Sequence, residues 1–164
     1  ETAIARIGKI LLDLNGVCVI VGSGIPEYEE RLAEASRNLE RFIYMRGYFE
    51  NISQALYTSG TIFLMPSSFE PCGISQMIAM REGQPCIVHE VGGLKDTVIN
   101  DLNGFTFEGE TTGEQADAFV RVTEKAVRIY IGNKWKWNMI KLAAATARFT
   151  WSASARQYVD RLYS

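Results

Sequence analysis

Histidine is almost missing from this chain: His89 is the single one among 164 residues. That excludes a His-rich metal centre, and a Ser/His/Asp triad could draw only on His89. Cysteine is sparse as well. Cys18, Cys72 and Cys86 are odd in number and too widely spaced for a zinc pattern, which favours a reducing compartment over a disulfide framework. No apolar run reaches the roughly 18 residues that suggest a membrane span, and the first residues do not read as a signal peptide. No excess of one charge exists either, since 17 basic and 19 acidic residues leave a net charge of -2. A general attraction to nucleic acid or to an anionic membrane is therefore not expected, and any anion must be held locally.

What is present is an alternation of apolar strands and amphipathic helices, expected to form one domain over residues 1–164 that buries roughly 70% of its unfolded surface. Val17 to Val21 reads as a strand buried on both faces, stopped by Gly22-Ser23-Gly24. A helix follows from Pro26, with Tyr28, Leu32, Ala35 and Leu39 at helical spacing, then a strand at Phe42 to Met45 ending on Gly47-Tyr48. Ile52, Ala55 and Leu56 suit a short helix before a strand at 61–65. The helix carrying Ile74, Met77 and Ile78 closes at Gly83, and Pro85 to Val88 is the next strand. This is the pattern of an α/β, doubly wound parallel sheet. A short strand at Phe105 to Phe107 precedes a helical C-terminal end. One helix there is lined by Ala116, Phe119, Val120, Thr123, Val127 and Tyr130, and a second by Trp135, Met139, Leu142 and Ala143. A third, capped by Thr150, turns Trp151, Ala155, Tyr158, Val159 and Leu162 inward, so the tryptophans and tyrosines of these helices read as core. Ala3 to Leu14 looks helical, whereas such a sheet normally opens with a strand and its ligand loop. The first strand is thus expected to precede residue 1.

Chemistry concentrates at Phe69-Glu70-Pro71-Cys72-Gly73-Ile74-Ser75-Gln76, between a strand and a helix. There an open α/β sheet aims backbone N–H groups at an anionic ligand. Glu70 stands as the acid beside this cradle, and Gly73, Ile74 and Ser75 offer the amides, with Gly73 letting a phosphate come close. An alternative is that Glu70 only caps the helix by accepting hydrogen bonds from the same amides. Gly22-Ser23-Gly24 and Gly92-Gly93 follow strands too; alone each is turn geometry, but in this fold the loops would face one crevice. Tyr48 could stack on a nucleobase or simply pack. His89 points to the cleft rim, equally a surface histidine or an acid, base or ligand. Cys72 lies in the cradle, where packing against the ligand suits it better than nucleophilic attack.

Pro66 to Gln76, Val91-Gly92-Gly93-Leu94-Lys95-Asp96-Thr97-Val98, Gly104 to Phe107 and Phe149-Thr150-Trp151 together resemble the starch and glycogen synthase family, in order and interval, over nearly the whole chain. The Phe-Glu-Pro-Cys-Gly string followed by Gly-Gly-Leu-x-Asp-Thr-Val carries most of that specificity. The resemblance implies the C-terminal, donor-binding domain of a two-domain GT-B transferase that retains anomeric configuration. It implies Glu70 as the catalytic-site acid at the donor glucose, Gly73, Ile74 and Ser75 around the distal phosphate with Cys72 beside them, and Gly47-Tyr48 on adenine. Ile78 stands where related transferases of this fold often show a second glutamate, a departure the synthases share.

The resemblance further implies ADP-glucose as donor, an α-1,4-glucan as acceptor, no metal or other cofactor, and the protein's own N-terminal domain as partner. The compartment would be the cytoplasm, or the plastid in a plant. The family's arginine and lysine on the donor phosphates should lie ahead of residue 1, so the 164-residue polypeptide alone is expected to be inactive. Two rival readings are a GT-B transferase using UDP-glucose and a non-catalytic nucleotide- or glucan-binding module.

Overall fold

The computed structural model describes residues 2–12 and 14–163. The chain forms two compact units, residues 1–60 with 107–132, and residues 61–106 with 133–164.

The first unit runs α1 (Thr2–Leu12), β1 (Cys18–Gly22), α2 (Pro26–Asn38), β2 (Phe42–Arg46) and α3 (Glu50–Ser59), and is completed by α6 (Thr112–Gly132). The expected first helix thus ends at Leu12, with Leu14 in a turn, while Asp13 lies outside the described residues. Pro26 opens α2, where its missing N–H costs nothing. This helix is the crossover that lets β1 and β2 run parallel, with Cys18 opposite Phe42 and Gly22 opposite Arg46. The Ser36 hydroxyl pins the helix to the strand by donating to the Phe42 carbonyl at 3.3 Å and accepting from the Tyr44 N–H at 3.1 Å.

β1 is half-buried along its length rather than buried on both faces. Among the described residues its sheet contains only β2, so an all-apolar strand does not imply cover on both sides. The buried set comes instead from Ile7, Phe42, Phe107 and the α6 residues Ala118, Phe119, Val120, Thr123, Ala126 and Val127. The Phe107 and Phe119 rings lie 5.2 Å apart. A capping box starts α6: Thr111 Oγ1 accepts from the Glu114 N–H at 3.2 Å, and Glu114 accepts from the Thr111 N–H at 3.0 Å. Tyr130, expected to face inward, is exposed near the end of this helix.

The second unit contains β3 (Phe63–Met65), α4 (Ser75–Arg81), β4 (Cys86–His89), α5 (Leu94–Thr97), β5 (Gly104–Phe107, its last residue counted with the first unit), α7 (Lys134–Thr146) and α8 (Trp151–Leu162). The sheet order is β3-β4-β5, with Phe63 opposite Cys86 in parallel register. Here the central strand β4 is buried at every residue, as an apolar run flanked by strands on both edges should be. The four-residue helix α5 has no counterpart in the sequence reading.

Two expectations about the C-terminal helices are corrected. On α7 the buried face is Trp137, Ile140 and Ala144, while Trp135, Met139 and Leu142 are exposed. Both stripes are apolar, and packing against α4 selects one of them. On α8 the Thr150 hydroxyl accepts from the Ala153 N–H at 3.3 Å, as a cap should, yet Trp151 is 91% exposed and Tyr158, Val159 and Leu162 are exposed too. Helical periodicity reports that one face is apolar; it cannot report that another surface covers it.

Candidate functional site

Met65 ends β3 and Ser75 begins α4, so Glu70 lies midway along the connection. This connection is held by the loop after β4. The Glu70 carbonyl accepts from the Gly93 N–H at 3.1 Å. Gly92 turns at φ +48°, and a methyl group there would lie 1.8 Å from the Glu70 carbonyl oxygen. A methyl on Gly93 would lie 2.7 Å from both Cα and O of Cys72. The glycine pair is therefore required by backbone against backbone, because no L side chain fits between the two loops.

The helix-cap alternative for Glu70 is not what folds. Ile74 occupies the N-cap position of α4 without a side-chain cap, and no α4 amide bonds to the Glu70 carboxylate among the described residues. Glu70 is half-buried, Cys72 is exposed, Ile74 is 67% exposed and Ser75 half-buried. The first-turn N–H groups of a helix have no intrahelical partner.

Gly73 sits at φ +75°, and its missing methyl would point at the Gln76 side chain, 2.4 Å from Oε1. The sequence reading assigned this glycine to close approach of a ligand. In the structure it is demanded from the inside, by the left-handed turn and by the buried amide beneath it. Gln76 is fully buried. Its Nε2 donates to the Gly73 carbonyl at 2.9 Å, to the Cys72 carbonyl at 3.2 Å and to Thr97 Oγ1 at 3.3 Å, while Oε1 is buried with no hydrogen-bond partner.

His89 is buried rather than exposed at a rim. Its Nδ1 lies 3.0 Å from the Ser67 carbonyl, and since a carbonyl only accepts, Nδ1 carries the proton there. The ring ties the end of β4 to the connection after β3.

In the first unit, the Gly47 N–H donates to the Gly22 carbonyl at 3.1 Å, and the Tyr44 hydroxyl reaches the same oxygen at 3.1 Å. The loops after β1 and β2 are thereby joined. Tyr48 is 84% exposed, so packing does not account for it. Glu29 supports this corner. Its carboxylate accepts from the Gly24 N–H at 2.8 Å and from Arg46 Nε at 2.6 Å. The Gly24 hydrogen bond first, then the Arg46 hydrogen bond, hold the carboxyl below its ordinary pKa, and Glu29 in turn raises that of Arg46.

Glu29, Arg46 and the roles of Gln76 and Thr97 were missed by sequence reasoning. A carboxylate five residues after a glycine turn and an amide at the second position of the next helix were the available signals, but the partners Arg46 and Thr97 come from other elements.

Residues 2–125 match the family described as glycosyl transferases group 1. The chain is 39% identical over 157 residues to the glycogen synthase of Desulfitobacterium hafniense, covering 92% of this chain and 33% of that protein. It is 36% identical over 164 residues to the glycogen synthase of Lactococcus lactis, covering 98% and 34%. Among solved structures it superposes on the catalytic domain of starch synthase IV from Arabidopsis thaliana, bound to ADP and acarbose, with a TM-score of 0.78 and 28% identity over 96% of this chain and 34% of that one. The chain thus spans about a third of the length of the curated relatives it matches.

Proposed function

This chain belongs to the glycosyl transferases of group 1, and on that premise we propose that it is the C-terminal donor-binding domain of a glycogen or starch synthase. The whole protein would transfer glucose from ADP-glucose to the non-reducing end of an α-1,4-glucan with retention, on a GT-B fold. The observation that carries this is the clamped Glu70 to Cys72 segment. Its backbone is fixed by Gly92 and Gly93 while the Glu70 carboxylate is left out of the α4 cap.

In this reading the Glu70 carboxylate accepts hydrogen bonds from hydroxyls of the donor glucose, and the amides of Gly73, Ile74 and Ser75 meet the distal phosphate beside Cys72. Tyr48, which is exposed beside Gly47, stacks on adenine. As the bond from glucose C1 to the diphosphate breaks and a bond to the glucan 4-hydroxyl forms on the same face, negative charge gathers on the leaving diphosphate. The hydroxyl proton leaves with that diphosphate. Donors aimed at the diphosphate strengthen toward the transition state and so lower the barrier. Helix-terminal amides contribute about 0.3 to 1 kcal/mol when exposed, and up to about 2 when partly buried.

ADP-glucose is the substrate in this reading, and the transfer uses neither a metal nor an organic cofactor. The acceptor groove is assigned to the protein's N-terminal domain, so this polypeptide assayed alone should transfer no glucose. We place the protein in the cytoplasm, or in the plastid of a plant, where nucleotide sugars are used.

Thermal unfolding with ADP, UDP and ADP-glucose tests the reading. Ligand at 100 times its dissociation constant adds about 2.7 kcal/mol, and each kcal/mol raises the midpoint by roughly 2 to 4 °C at this size. ADP should stabilise more than UDP, and ADP-glucose more than ADP. Glu70→Ala should remove the sugar-dependent increment without lowering the unliganded midpoint. Stabilisation by UDP alone would shift the assignment to a UDP-glucose transferase, and an unchanged increment in Glu70→Ala would overturn the role of that acid.

A further inference from the structure

The connection carrying Glu70 is held by a closed circuit of hydrogen bonds that passes through two side chains. Glu70 O accepts from the Gly93 N–H at 3.1 Å. The Gly93 carbonyl accepts from Thr97 Oγ1 at 3.1 Å. Thr97 Oγ1 accepts from Gln76 Nε2 at 3.3 Å, and that same nitrogen donates to the carbonyls of Cys72 and Gly73. The circuit starts at the residue proposed to touch the donor sugar and returns to the residues proposed to touch its phosphate.

Stability alone does not explain this arrangement. Gln76 is fully buried and leaves Oε1 without a partner, a state that costs free energy which an apolar side chain of similar volume would avoid. The amide also occupies the space under Gly73, where the left-handed φ of +75° already restricts the position to glycine. What the amide supplies and an apolar side chain cannot is direction, since it fixes two consecutive carbonyls and, through Thr97, the loop that grips Glu70.

We propose that Gln76 and Thr97 are positioning residues that set the Glu70 carboxylate and the Gly73–Ser75 amides at the spacing of a glycosyl diphosphate, touching no substrate themselves. This deepens the donor-site reading and rests on it.

The test is the ratio of the dissociation constants for ADP and ADP-glucose, measured by titration calorimetry on the folded chain. Thr97→Val, which keeps shape and deletes the hydroxyl, should lower the preference for ADP-glucose by about fivefold, the effect of losing one hydrogen bond. Thr97→Ser should restore it. Gln76→Glu supplies a second handle. Among carbonyl acceptors the ionised carboxylate has no proton to donate, and burial at this position raises a carboxyl pKa well above its ordinary value of about 4.3, so the variant's preference for ADP-glucose should be weak at pH 8 and recover toward pH 6, while the parent protein stays level. A Thr97→Val variant with a lower melting midpoint but an unchanged ratio would overturn the proposal by reducing Thr97 to a structural role, as would a Gln76→Glu variant matching the parent at both pH values. Loss of preference in the parent protein, or its persistence in Glu70→Ala, would instead sink the donor-site reading beneath it.

Discussion

At Gly92 the backbone turns at φ +48° directly against the Glu70 carbonyl, so Gly92→Ala must either move that loop or strain it. The expected cost is about 2 to 4 kcal/mol, among the larger values for one substitution, read as a lowered urea midpoint. The same change at Gly113, whose missing methyl meets nothing nearer than Thr111 Oγ1 at 4.0 Å outside its own helix backbone, should be neutral or stabilise by up to about 1 kcal/mol. Cys72 offers a second handle at this scale. It is exposed, whereas burial pushes the Cys18 thiol up to about 11 and the Cys86 thiol higher still. Iodoacetamide at pH 8 should therefore alkylate Cys72 first in the folded chain, Cys18 much more slowly, and Cys86 only on unfolding. Excess ADP-glucose should slow that alkylation if the donor lies where it is proposed to lie. The sequence located the Glu70 to Ser75 segment and left two roles open for its acid. The cap role is set aside by Ile74, which takes the cap position and has nothing to cap with.

Among the elements, α7 shows how far periodicity carries. Trp135 and Trp137 stand two apart on one helix; the first is 74% exposed and the second 3%. Trp137→Ala should cost about 3 to 5 kcal/mol, as a buried aromatic does, and Trp135→Ala should stay within about 0.5. The difference is measurable in a pair of denaturant titrations. Sequence placed the helix well and put the wrong stripe inside, because both stripes are apolar and only the packing of α7 against α4 separates them. For α8 the cap at Thr150 and the span were legible, since capping is a local matter between Thr150 and Ala153. The burial assigned to Trp151 and Tyr158 was not legible, because cover is supplied by another surface.

For the molecule as a whole, stability should depend on acid through two carboxylates. Glu29 is held below its ordinary pKa chiefly by the Gly24 N–H and Arg46, and Glu114 chiefly by the Thr111 and Glu110 N–H groups. A depressed folded pKa stabilises fully above the unfolded value of about 4.3, and that contribution is lost as pH falls through the folded value. Melting midpoints should thus be level near neutrality and fall below about pH 4.3. Glu29→Gln should start lower at pH 7 and lose less on acidification. The sequence by itself determined the alternation of strand and helix, the turns that end them and the Glu70 segment, because backbone propensity, capping and apolar runs act over a few neighbouring residues. Only the tertiary structure decided which apolar faces are covered, that His89 is buried, and that Gly92, Gly93, Gln76 and Thr97 grip the connection after β3. Those facts depend on contacts between segments far apart in the chain, and no local pattern encodes them.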